Sequence, residues 1–320
     1  MHSIIEPIDK EPLQSELKGK LFYRTKKAGN EIYIVNTYNA PSVVKEIGRL
    51  RELSFRNNGG GSGNPFDLDV YDTLEKPFEQ LIVWNPSAME IIGGYRFLHG
   101  KNAKFNENGI PELPIGHIFD ISQKYIDEYL PYTIELGRAF IQPKYQSIKM
   151  GLKSLYSLDN LWDGLGAMVM SYDDVSYLVG KVTIYPQMST KARYAIVYFL
   201  SKFFPDNENL LIPMEAETIS KKYIASFDKI FTGNTIKDNF SILNKFVKKA
   251  GENIPPLIRA YIELSDSMKT FGTCIDREFG YIHDTGIMIT IDDIYQDKKE
   301  RYLESYLIKS SILPKRMIKF

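Results

Sequence analysis

The stretch from Tyr132 to Gln146, YTIELGRAFIQPKYQ, constrains the fold most, because a strand-like run carries Glu135 and Arg138 on either side of Gly137. Side chains alternate faces along a regular strand, so this spacing would send the carboxylate and the guanidinium to opposite sides of the sheet. A glycine between them predicts a bulge near Gly137 that turns both charges toward one cleft and splays the strand from its neighbour. An edge strand with two solvated charges is the other reading.

At 320 residues, 43% hydrophobic and 25% charged, the chain can bury one large core, or one core plus an appendage. Its 40 basic and 40 acidic residues cancel, so no global field favours nucleic acid, and an electrostatic partner must be read locally. A single cysteine, Cys274, excludes an internal disulfide framework and fits a reducing compartment. No apolar run approaches the roughly 20 residues of a spanning helix, and MHSIIEPIDKEP has acids where a signal peptide needs a basic and then apolar run. The expectation is a cytoplasmic protein that touches a membrane at most from its surface. His2, His99, His117 and His283 show no metal-ligand spacing, so no metal is expected.

Along the chain, GKLFYR and EIYIVN read as short strands around the turn-prone TKKAGN. A helix is predicted from Pro41 to about Arg56, with Val43, Val44, Ile47, Leu50 and Phe55 as its buried stripe. Arg51 lies on that stripe. An arginine there either meets a carboxylate, since an unpaired buried charge costs several kcal/mol, or covers the core with its stem and sends its head to water. The following NNGGGSGNPFDLDVYD is too rich in glycine for a regular element and predicts a mobile loop. The loop is either a plain linker or a lid that delivers Asp67, Asp69 and Asp72 to a polar substrate. No Lys-Ser/Thr pair follows the glycines, so it is not a phosphate-cradling loop of the GxxxxGK[ST] type.

EQLIVW and EIIGGYRFLHG are strands joined at Asn85-Pro86-Ser87, and the second carries Arg96. Pro143 ends the Tyr132 strand, and Lys144 to about Tyr172 reads as helical with a break near Ser157 to Asp159. Val175 to Ile184 reads as a strand, and Ser189 to Phe203 as a helix closed by Pro205. This order argues for an α/β or α+β layer fold, a mixed central sheet flanked by helices. The chain is expected to be one domain over 1–320, with a motif-bearing core at 21–204 and a helical extension at 205–320.

Within that extension, Ile219 to Gly251 holds seven lysines against two acids, with Phe240, Leu243 and Val247 at helical spacing. The tail YLIKSSILPKRMIKF repeats the mixture. Either an anionic membrane surface attracts these segments, or they are helices packed on the sheet with a wet basic face.

In order and local spacing, Arg51, Phe55, Asp69, Asp72, Arg96, Glu135 and Arg138 resemble the R-x3-F, D-x2-D, lone R and E-x-G-R signature of the acyl-homoserine lactone synthases. The tryptophan that those synthases carry in the loop is missing. RLRELSFR, NPFDLDVYD, IIGGYRF, ELGRAFIQPKYQ and LWDGLGAMV resemble still more the hemolysin-like branch of the GNAT acyltransferase superfamily. That branch includes the N-acyltransferases that start ornithine-lipid and glycine-lipid synthesis. The resemblance covers about Leu21 to Tyr185 and extends loosely through PPLIRAYIEL and IDREFGYI.

The resemblance implies a GNAT fold with the donor thioester in the cleft where the Glu135 strand splays from the Val175 strand. Amine acylation needs a proton acceptor and N–H donors facing the developing oxyanion. Glu135 is the first candidate base, with Asp69 or Asp72 next, and strand N–H groups freed near Gly137 are the donors. Alternatively the carboxylates only form ion pairs, Arg51 and Arg138 with Glu135, and Arg96 with Asp69 or Asp72. Phe55 falls on the substrate side, and Gly137 and Phe140 on the donor side. Where most superfamily members carry [QR]-x-x-G-x-[GA] for a pyrophosphate, Gln142 to Gly151 has a single glycine, which favours a phosphopantetheine thioester on acyl carrier protein over acyl-CoA. Lys144, Lys149 and Lys153 would receive that acidic carrier, or are simply a solvated helix face.

The expected activity is transfer of a long-chain, 3-hydroxylated acyl group from acyl carrier protein to the α-amine of glycine or ornithine, with no permanently bound cofactor and no nucleic acid. An anionic membrane surface is a further expected partner. Two other classes stand beside it. A signal synthase would use S-adenosylmethionine, and the missing tryptophan and long C-terminal half count against it. A non-enzymatic membrane-active hemolysin would not need the buried charges and would need an amphipathic pore segment.

Overall fold

The computed structural model describes residues 1–146 and 152–304. In chain order the strands are β1 (Leu21–Arg24), β2 (Glu31–Val35), β3 (Glu79–Asn85), β4 (Glu90–His99), β5 (Phe119–Ile121), β6 (Thr133–Ile141), β7 (Tyr177–Ile184), β8 (Leu211–Pro213), β9 (Lys269–Asp276) and β10 (Ile282–Thr290). The helices are α1 (Lys10–Leu17), α2 (Pro41–Asn57), α3 (Val70–Thr73), α4 (Pro143–Gln146), α5 (Leu152–Ser171), α6 (Thr190–Phe203), α7 (Lys221–Ile230), α8 (Ile236–Lys249), α9 (Pro256–Ile262) and α10 (Gln296–Lys299). They fall into two compact units. The first takes the described residues of 1–102, 134–175 and 296–304, and the second takes 103–133 and 176–295.

In the first unit β1, β2, β3, β4 and β6 pair in that order, each antiparallel to the next. β3 and β4 are buried along almost their whole length, so their sequences read as apolar runs rather than as an alternation. Gln80 meets Arg51 of α2, whereas a side chain placed at Gly164 of α5 would run into Leu81. Adjacent strand residues point to opposite faces, so α2 and α5 cover the two sides of this sheet. The pair Gly93-Gly94 is a steric requirement: a Cβ there would lie 2.4 Å from the Phe140 carbonyl oxygen and 2.5 Å from that of Leu81. Pro41 opens α2 with φ preset, and Val43, Val44, Ile47, Leu50 and Phe55 are buried as their spacing predicts.

α5 runs unbroken through Ser157 to Asp159, where a break was expected. The polar residues that imitate a break have partners in the β1–β2 turn. Asn160 accepts from Asn30 at 2.8 Å, Asp163 accepts from the Lys26 N–H at 3.1 Å, and Asp159 faces Lys27 at 3.5 Å. Polar groups buried with partners do not terminate a helix.

In the second unit β7, β10 and β9 form an antiparallel sheet, and β5 pairs with β8. α6, whose first turn is capped by Ser189, is packed by α7 and α8 through phenylalanines 199, 227, 231 and 240. The region after Pro205 is therefore helical only in part. It adds β9 and β10, with IDREFGYI at their turn, and the two units interleave along the chain. Among the described residues no helix is long and apolar enough to cross a membrane.

Candidate active site

Opposite Arg96 and Leu98 of β4 stand Gly137 and Glu135 of β6, and opposite Arg96 on its other side stands Gln80 of β3. Directly paired residues share a face, so Gln80, Arg96, Gly137 and Glu135 all point to the α2 side. From Gly94 to Arg96 β4 advances two residues while β6 passes from Phe140 to Gly137, three residues, which is a bulge. The expected bulge is present, but the glycine is not its centre. Arg138 takes the left-handed conformation at φ 51°, and a Cβ on Gly137 would make only ordinary contacts with Arg96. For a residue other than glycine this backbone costs about 1–3 kcal/mol.

The aspartates arrive on α3, a single turn held by its own side chains. Asp69 accepts from the Tyr71 N–H at 3.0 Å, and Asp72 reaches back to the Asp69 N–H at 3.0 Å, a capping box made of two carboxylates. The same carboxylates also meet arginines. Arg51 donates to both Asp72 oxygens at 3.2 Å and to Gln80, which itself donates to Asp72 at 2.8 Å. Arg96 donates to Asp69 at 2.6 Å and to Asp72 at 3.0 Å, its guanidinium lying 5.4 Å from the ring centroid of Tyr71 and 5.6 Å from that of Phe78. Arg138 approaches Asp67 at 2.9 Å and Asp69 at 3.6 Å. Arg51 and Arg96 are fully enclosed, whereas the Arg138 side chain is 22% exposed.

The electrostatics separate the carboxylates. Burial works to raise Asp72, but Arg51 and Arg96 beside it prevail and hold it well below the usual carboxylate range. Asp67 is pushed up, because burial there outweighs the attraction of Arg138, Arg51 and Arg96. Arg51 is drawn down by burial against Asp72, from so high a starting value that it remains a cation. Arg96 is raised, since its carboxylates outweigh its burial.

The structure thus gathers Arg51, Asp69, Asp72, Arg96 and Arg138 into one cluster, with Glu135 and Phe140 buried on the neighbouring strand and Phe55 buried one turn beyond Arg51. Arg96 meets Asp69 and Asp72 as expected, whereas Arg51 meets Asp72 and Arg138 meets Asp67 and Asp69. Asp67, delivered by the loop with Asp69 and Asp72, joins the cluster through Arg138. Gln80 was missed, and its signal was that of a polar residue in an apolar strand.

The glycine loop, expected to be mobile, is tied down in this structure. The buried Glu52 carboxylate accepts from the Ser62 N–H, the Ser62 hydroxyl and the Gly63 N–H at 2.8–3.0 Å, and it pairs with Arg56. His2 and Ile5 add backbone bonds to Gly63 and Pro65. Lys144, expected to face a partner, is 53% exposed but holds Glu90 at 2.6 Å. Lys149 and the side chain of Lys153 lie outside the described residues. β6 and β7 belong to different units.

Residues 50–155 match the acetyltransferase (GNAT) domain family. The chain belongs to the GNAT acyltransferases. It is 48% identical over 308 residues to a glycine N(alpha)-acyltransferase of Bacteroides thetaiotaomicron, covering 96% of this chain and 91% of that protein. A protein of the same name from Phocaeicola vulgatus is 47% identical over 311 residues, covering 96% of this chain and 94% of its own length. A solved structure of a CoA-dependent acyl-homoserine lactone synthase, BjaI, with MTA aligns at a TM-score of 0.38 and 10% identity, over 88% of this chain and 92% of that one.

Proposed function

We propose that the protein is an N-acyltransferase that moves a long-chain, 3-hydroxylated fatty acyl group from acyl carrier protein to the α-amine of glycine. The observation that carries acyl transfer to glycine is the likeness, close to half the residues over nearly the whole length, to proteins named glycine N(alpha)-acyltransferase. The donor thioester would sit beside the β6 bulge, where N–H groups released from the ladder face the carbonyl oxygen. Attack by the amine nitrogen forms a tetrahedral oxyanion on the thioester carbon. Collapse breaks the carbon–sulfur bond, and the sulfur leaves on the carrier's phosphopantetheine arm as a thiol, taking the second proton that the nitrogen sheds as it becomes an amide.

Glu135 is the base of this reading, taking the ammonium proton of the acceptor directly or through a water. Arg138 is the most exposed of the three clustered arginines and is assigned to the acceptor carboxylate, which a planar guanidinium grips with two parallel bonds. Arg51, Arg96, Asp69 and Asp72 hold α2, α3 and the sheet in register around it. The purified chain supplied with matched acyl carrier protein and acyl-CoA thioesters, and with glycine, ornithine or S-adenosylmethionine, tests each part by mass spectrometry of the products. Acylglycine from the carrier thioester is the expected product. Acylornithine, an acyl-homoserine lactone, or equal rates from acyl-CoA would each replace the corresponding part.

A further inference from the structure

α7 packs onto α6 through Phe227, 5.4 Å from Tyr198 between centroids, α8 packs onto it through Phe240, 6.0 Å from Phe199, and the two helices meet each other at Phe227 and Phe246, 5.8 Å apart. Helical spacing places lysines on the opposite side of each helix: Lys221, Lys222 and Lys229 on α7, and Lys237, Lys245, Lys248 and Lys249 on α8. All seven are exposed, and none has an ion-pair partner among the described residues. Both acids of the segment are turned to other work. Asp228 pairs with Lys202 of α6 at 2.8 Å, and Asp238 closes the capping box with Thr235 at the start of α8. The result is a field of positive charge about 18 Å long on α8 alone, at 1.5 Å per residue.

We propose that this face rests on an anionic lipid surface. The choice of residue favours lipid over an acidic protein. Protein interfaces are enriched in arginine and aromatic anchors and depleted in lysine, whereas juxtamembrane fields act through hydrated lysines without geometric matching. The segment from 219 to 251 has no arginine, and Ile224 is the one large apolar side chain exposed on the two helices. The inference stands apart from the acyl-transfer reading, since it concerns only where the molecule sits. It would keep an enzyme whose product carries a fatty chain beside the phase that accepts it.

Cosedimentation of the full chain with phosphatidylglycerol vesicles, against phosphatidylcholine vesicles, is the direct test. Binding should be selective for the anionic vesicles at about 50 mM salt and fall at least roughly 10-fold at about 0.5 M, where the charges are screened. The variant K237E/K245E/K248E/K249E should lose binding without a change in melting temperature, whatever happens to acyl transfer. K221E/K222E/K229E gives an independent reading if that variant fails to fold. Equal binding to both vesicles, no binding to pure phosphatidylglycerol, or full binding by the folded variants overturns the proposal. Retained vesicle binding with a raised KM for acyl carrier protein would assign the lysines to that carrier instead.

Discussion

Asp67 and Asp72 stand five positions apart in one short stretch, yet their surroundings act on them in opposite senses. The folded value of Asp72 lies below its unfolded one, so its contribution to stability is complete above about pH 4 and is lost as the pH falls through the folded value. Asp67 has the reverse sign. Its folded value is raised, so ionisation costs stability at neutral pH, and the cost disappears as the pH drops below the unfolded value. Asp72→Asn would leave Arg51 and Arg96 enclosed with one carboxylate fewer, and a loss of about 3–5 kcal/mol is expected in denaturant unfolding at pH 7. Asp67→Asn should change stability by no more than about 1 kcal/mol, in either direction. Equal losses in the two variants would contradict this assignment. Glu135→Gln separates catalysis from support: a base loses roughly 10²- to 10⁴-fold in kcat with the melting temperature kept. A mutant that is fully active but unstable would move the role of base to Asp69 or Asp72.

At the scale of elements, the loop from 57 to 66 is held chiefly by one buried carboxylate. Glu52→Ala removes three hydrogen bonds to Ser62 and Gly63, so amide exchange in that loop should accelerate while α5 and β3 keep their protection. If the loop is also a lid, saturating acceptor should slow exchange there in the wild type, and unchanged rates would remove that idea. Glycines advertise a loop whether or not something binds it, which is why the anchoring was not legible. Glu52 lies in RLRELSFR as one charge among several, and only the fold brings it beneath Ser62. The β6 bulge was legible because a strand cannot place Glu135 and Arg138 on one face without an extra residue. Its centre was not, since glycine is the usual left-handed residue and Arg138 takes that conformation in its place.

Over the whole molecule, the first unit was readable from its strands and its buried charges, and the second only in part. β9 and β10 are short on periodicity because β10 is buried on both faces and its pairing with β7 joins residues about a hundred positions apart. No local pattern announces such a partner. Electrostatics sum over both units as well. Asp72, Asp174, Glu208, Glu217 and Asp228 are all held below their ordinary values, Glu208 at about 2, by the cations and hydrogen bonds around them. Each therefore favours the folded state more above about pH 4 than below it. The midpoint of thermal unfolding should hold steady near neutrality and drop steeply below about pH 4. A midpoint independent of pH from 6 down to 3 would show that these pairs form equally in the unfolded chain.

Position 138 answers to two judges. Its backbone asks for glycine or asparagine, while its contacts with Asp67 and Asp69 ask for a long planar cation. In a saturation library at this codon, sorting by cellular abundance and sorting by product formed should therefore give nearly inverted rankings, with glycine high on the first and near the bottom of the second.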